Sequence, residues 1–262
     1  MKFGILSLLF AALLVSACKS TNTDEQESGA QTSYVDDGDL DVLIATIDVE
    51  LADLTMVKSM IYLKDDESTA SATAYLDKEE KIVKIEEVLY DSKTASFIYQ
   101  DFYYKNGVQF ATRLRKQKSL GDNTYFSEVV SFYDEKGNVT ESKERAAPYE
   151  EYLGAEGYKK TNKEAHSSDN AYDILYQKGA FKTTFQGFAS AGNYDFLIVG
   201  GPEENGYTSS LSIQADSPTL RYLRKEGKNA LGHELRVEFE RFTDTQGYEM
   251  QILHDLALVK AQ

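Results

Sequence analysis

The chain has 262 residues, 28 Lys+Arg against 43 Asp+Glu, and a formal net charge of −15. One cysteine excludes an internal disulfide and a thiolate zinc site, and the acidity excludes a broad nucleic-acid footprint, which needs a basic face. At 42% hydrophobic the chain is not globally disordered, and at 27% charged it is not a multi-span membrane protein.

Residues 1–18 read MKFGILSLLFAALLVSAC. Lys2 precedes an apolar run from Phe3 to Val15, shorter than the roughly 20 residues of a spanning helix and suited to a signal-peptide core. Val15-Ser16-Ala17-Cys18 resembles the lipobox of bacterial lipoproteins. That resemblance implies a signal peptide over 1–17, cut before Cys18, and Cys18 as the lipid attachment point. The membrane is then a partner through the acyl chains, several of which anchor far better than one. Lys19 in place of Asp implies the outer membrane. The stretch KSTNTDEQES is similar to surface-export tethers of Bacteroidetes lipoproteins, so the expected location is the periplasmic face or the surface. Residues 18–38 are polar and acidic and predict a flexible tether. Asp36-Asp37-Gly38-Asp39-Leu40-Asp41 lacks the register of a calcium loop and reads as a solvated approach to a helix.

The predicted fold is mainly β: an amphipathic helix plus antiparallel meander over 39–147, a linker over 148–171, and an OB-fold-like five-stranded barrel with one short helix over 172–262. Leu40, Leu43, Ile44, Ile47, Leu51 and Leu54 recur at spacings of three and four. They predict a helix over 39–54 with its apolar stripe docked on the following sheet. From Thr55 the period becomes two. Strands are expected at 56–63, 70–76, 82–90, 96–104, 108–115, 125–133 and 138–143, with one long link, 115–125. Asn106-Gly107 predicts a tight hairpin, because both residues tolerate positive φ.

The motifs Thr73-Ala-Tyr-Leu-Asp77, Lys84-Ile85, Asp101-Phe-Tyr-Tyr-Lys-Asn-Gly107 and Phe132-Tyr-Asp-Glu-Lys-Gly137 resemble a group of Bacteroidetes lipoproteins. They are also similar to YD and MORN-type β-hairpin repeats. The resemblance implies a shape and no activity.

A short helix is expected over 148–153, opened by Pro148. In the C-terminal part, strands are predicted at 180–190, 194–200, 209–214, 233–242 and 249–259, with a helix over 217–225. Ser217-Pro218 opens that helix and Gly227 closes it. Three strands, a helix and two strands is the order of an OB-fold. Gly187 marks a strand bend.

Catalytic signals are sparse. His166, His233 and His254 show no metal-binding spacing, and no G-x-S-x-G elbow is present. No cofactor, no metal and no catalytic residue is expected. Two binding features remain. Arg221, Arg224 and Lys225 form a basic patch on the barrel helix, which its place in a last helical turn also explains. Tyr194, Phe196 and Tyr207 are candidate platforms on the barrel strands, although alternation sends half of such aromatics inward. The expected role is a non-enzymatic binding or accessory module for an envelope protein or glycan. The alternative is a carboxylate-dependent hydrolase of envelope or dietary polysaccharide.

Overall fold

The computed structural model describes residues 37–259, apart from 65, 121, 122, 202, 204, 244, 246 and 248. The signal peptide, Cys18 and nearly all of the tether lie outside the described residues. Helix α1 spans Asp37–Glu50 and ends in a 3-10 turn, Leu51–Asp53. Then come β1 (Thr55–Lys58), β2 (Tyr62–Leu63), β3 (Thr69–Leu76), β4 (Ile82–Asp91), β5 (Ser96–Lys105), β6 (Val108–Leu120), β7 (Asn123–Tyr133) and β8 (Val139–Ala147). A 3-10 turn (Glu150–Ala155), β9 (Lys159–Lys160), α2 (Asp169–Leu175) and a second turn (Gly179–Phe181) follow. The chain continues through β10 (Thr184–Ala191), β11 (Tyr194–Gly200), β12 (Thr208–Ile213), α3 (Pro218–Glu226), β13 (Leu235–Thr243) and β14 (Glu249–Leu258).

The fold is mainly β. Among the described residues the strands form one large mixed sheet with a few short helices. From β3 to β8 each strand pairs antiparallel with the next. Asn106 and Gly107 both take positive φ, 53° and 78°, as the hairpin requires.

Several expected boundaries are corrected. The strand expected over 56–63 is two strands, because the register against β3 slips by one residue between Lys58↔Thr73 and Tyr62↔Ala70. The Ser59 hydroxyl, buried at the slip, accepts from the Ala72 N–H at 2.8 Å. The long link 115–125 is strand: β6 and β7 stay paired from Ala111↔Phe132 to Leu120↔Asn123. Its polar residues hid it, since charges line both sides. The helix expected over 148–153 is the 3-10 turn Glu150–Ala155. The strand expected from 180 starts at Thr184, after the Gly179–Phe181 turn. The stretch 148–171 contains β9 and the first residues of α2.

The sheet has two core faces. On one, Ala70, Ala72, Ala74, Ile85 and Phe102 alternate inward and meet Ile174 of α2, Phe181, Phe185 and the inward residues Leu197, Val199 and Leu211. Each large apolar side chain buried there contributes about 1.5–3 kcal/mol. This core draws on both halves of the described chain. On the other face, Ile44 and Ile47 of α1 pack on Tyr103, Phe110, Ala111, Val130 and Phe132, with Leu40, Leu43 and Leu51 at the margin.

The C-terminal strands pair in the order β10–β11–β12–β14–β13. The β12/β14 pair is parallel. A bridge from Thr184 to Glu234, just before β13, returns the circuit to β10. Gly187, at φ 142°, sits at a bulge in β10. Ser217 Oγ caps α3 by accepting from Leu220 N at 3.2 Å, and Gly227 ends it at φ 55°.

At β12 the sheet forks. Thr208 pairs with Leu63 of β2, while Ser212 and Ile213 pair with β14. Gln251 stitches the fork: its Oε1 accepts from Ile61 N at 2.7 Å, and its Nε2 donates to Ser209 Oγ at 2.9 Å and Ser210 O at 3.1 Å.

Candidate functional site

Strand alternation sends Leu197, Val199 and Leu211 into the core, so Tyr194, Phe196, Ile198 and Ser210 face outward. Where the sheet forks, this outward face becomes a groove of about 640 Å³. Tyr194, Phe196, Ile198, Leu63 and Met250 give it an apolar floor, and Thr69, Thr208 and Ser210 add hydroxyls. One carboxylate lines it, Glu249, held by Arg241 at 2.6 Å. At its edge Gly200 lies close to the backbone of Tyr207: a Cβ there would stand 2.4 Å from Tyr207 O, so only glycine fits.

Of the residues singled out from sequence, Tyr194 and Phe196 come together in this groove. Tyr207 does not join them. Its ring stacks on Phe181 at 4.6 Å, and Lys64 Nζ lies 4.4 Å from its centroid. Arg221 and Arg224 of α3 pair with Asp216 at 2.6 and 3.3 Å, and Arg224 also lies over Phe188. Lys225 is exposed beside them. None of these three cations lines the groove. The histidines do not gather: His166 lies 3.7 Å from Glu164, His233 stacks on Tyr222, and His254 lies 3.0 Å from Glu240. Among the described residues no cluster of His, Cys, Asp or Glu is placed to hold a metal ion.

Sequence reasoning missed the ion cluster beneath α1. Lys84 Nζ reaches Asp48 at 2.9 Å and Glu86 at 2.7 Å. Arg113 bridges Asp48 and Asp101, 2.7 Å from each. Lys84 and Asp101 are each 2% exposed at the side chain, and the Tyr103 hydroxyl donates to Asp48 at 3.1 Å. Burial alone would raise the Asp48 pKa, but the hydrogen bonds from Arg113 and Lys84 outweigh it and hold the carboxyl below its ordinary range. One signal could have found the cluster. Asp48 stands four residues after Ile44 and three before Leu51, in line with the apolar stripe, so its carboxylate faces the sheet.

On the opposite face, Glu87 is buried and accepts from Asn170 Nδ2. Burial pushes its pKa up, only partly offset by that hydrogen bond.

The sequence matches no family model, no curated protein and no solved structure.

Proposed function

We propose that this is a lipid-anchored binding protein of the bacterial envelope, held at the outer membrane through Cys18, whose fork groove receives a glycan. The apolar groove with hydroxyls along its edge carries the reading. Aromatic and aliphatic surfaces accept the C–H faces of a sugar ring, and Thr69, Thr208 and Ser210 can meet its hydroxyls. A protein partner is the other envelope ligand the sequence allows, but the groove offers polar groups spaced within a cleft in place of a broad flat patch.

The C-terminal pairing order, with its parallel β12/β14 contact and its return to β10, supports an OB-type barrel. Its β11 supplies the groove's aromatics, and its β12 adds hydroxyls. The hairpins of β4–β8 support the likeness to YD and MORN-type repeats.

Binding is favoured over hydrolysis by the groove's carboxylates. Glycoside cleavage commonly uses two facing acids, and Glu249, tied to Arg241, stands alone among the described lining residues.

Two experiments test the reading. Phe196→Ala and Tyr194→Ala should each weaken glycan capture on an array at least about tenfold, or about 1.4 kcal/mol, with the melting temperature unchanged. Undiminished capture by both variants would sink the groove. Cys18→Ala should move the chain from the membrane fraction to the soluble one; persistence in the membrane would sink the anchor.

A further inference from the structure

The groove is one of two depressions on the same side of the sheet. The pairing register runs Thr208↔Leu63, Leu63↔Thr69, Thr69↔Tyr90 and Tyr90↔Phe97. It resumes at Gln117↔Phe126. At about 4.8 Å per strand, four steps carry this row roughly 19 Å from the groove to Phe97. There a notch opens between Phe97, Tyr99, Arg115, Gln117 and Phe126, roofed by Leu153 and Glu150 of the 3-10 turn.

The notch holds a cation with no hydrogen-bonded carboxylate among the described residues. Arg115 faces Tyr99 on one side and Glu128 on the other. The two neighbouring carboxylates make their close contacts with other residues. Asp101 takes two bonds from Arg113, at 2.9 and 2.7 Å, which leaves Arg115 at 3.8 Å. Glu128 takes Arg145 at 2.8 and 2.7 Å, and the Tyr158 hydroxyl as well. The buried Nε of Arg115 has no hydrogen-bond partner among the described residues. Its guanidinium lies 5.4 Å from the Tyr99 ring centre, and Tyr99 stacks on Phe97 at 5.8 Å. Glu150 also lines the notch without an ion pair to Arg115 among the described residues.

A buried donor left unpaired costs about 1–3 kcal/mol, and a planar guanidinium suits a carboxylate. We infer that the Arg115 notch is a subsite for an acidic sugar: it takes the carboxylate of a uronic acid unit on Arg115 and the ring on Phe97 and Tyr99. This rests on the glycan reading of the groove, because the shared row lets one linear chain run from Thr208 in the groove to Phe97 at the notch.

The test uses the full chain in detergent with two ligands that differ only in their carboxylates, cellotetraose and its C6-oxidised form. The oxidised form should bind about tenfold more tightly and shift the Arg115 Nε–H resonance of arginine-labelled protein. Arg115→Gln should abolish that preference and leave cellotetraose affinity unchanged, Arg115→Lys should keep part of it, and Glu150→Gln should enlarge it by removing a like charge. Equal binding of the two ligands, or an unmoved Arg115 signal, overturns the subsite while leaving the groove intact. If neither tetrasaccharide binds, the groove reading fails. Titration with free glucuronate then decides the subsite alone: a shifted Arg115 signal supports it and an unmoved one ends it.

Discussion

One side of the sheet has two halves that treat charge in opposite ways. Beneath α1, Lys84 and Arg113 share Asp48, Glu86 and Asp101, and each cation has partners within 2.9 Å. Beyond the helix, two residues along the same strand from Arg113, Arg115 comes no nearer than 3.8 Å to a carboxylate, and its Nε has no hydrogen-bond partner among the described residues. The residue type is the same, so burial makes the difference. A charge removed from water must be paired, whereas a half-exposed one can be left for a ligand. Charge on this surface is therefore informative only where no helix covers it.

The comparison breaks most sharply at Arg113. Arg113→Ala leaves Lys84 as the one cation between Asp48 and Asp101 among the described residues, and should cost about 3–5 kcal/mol in chemical denaturation. A loss under 1 kcal/mol would mean that the covered half is not held by its charges. Next comes the fork. Gln251→Leu removes a buried side chain that serves Ile61, Ser209 and Ser210, and should cost about 1–3 kcal/mol together with glycan affinity. Unchanged affinity would separate the stitch from the groove.

pH divides the two core faces. The folded pKa of Asp48 is depressed, so the cluster's contribution is present above the ordinary carboxylate range and is lost as pH falls through the folded value. The folded pKa of Glu87 is raised. Its stability is present below the ordinary range and is lost as pH rises toward the folded value. Glu87→Gln, which can still accept from Asn170, should raise the denaturation midpoint at pH 8 and leave it unchanged at pH 4; equal shifts at both would refute the titration. The smallest effect belongs to Arg115→Gln, which should change stability by no more than about 0.5 kcal/mol. A larger loss would show that Arg115 serves the fold.

Much of this was legible in the residues. The spacing of Ile44, Ile47 and Leu51 marked the buried stripe of α1, and Asn106-Gly107 marked its hairpin, because both signals are local. Lys84 was not legible as a buried residue. Alternation placed it opposite Ile85, on a side that looks solvated until α1 covers it. Tyr194 and Phe196, which line the groove, and Tyr207, whose ring turns into the core against Phe181, read alike in the sequence as candidate platforms. Arg115 ended a predicted strand where the long link began, and its lack of a hydrogen-bonded partner depends on two other arginines taking the nearby acids. The fork escaped entirely, because Thr208 and Leu63 meet across 145 positions.

That distance sets an order of assembly. The hairpins of β4–β7 close over short loops and form early, whereas the fork must wait for the ends of a long chain to meet. Pulse-labelled hydrogen exchange during refolding should protect β4–β7 before Ile61 and Ser210; simultaneous protection would contradict this. The cleft is then the last part of the molecule to exist, and a chain arrested halfway would show its aromatics to solvent with no groove around them.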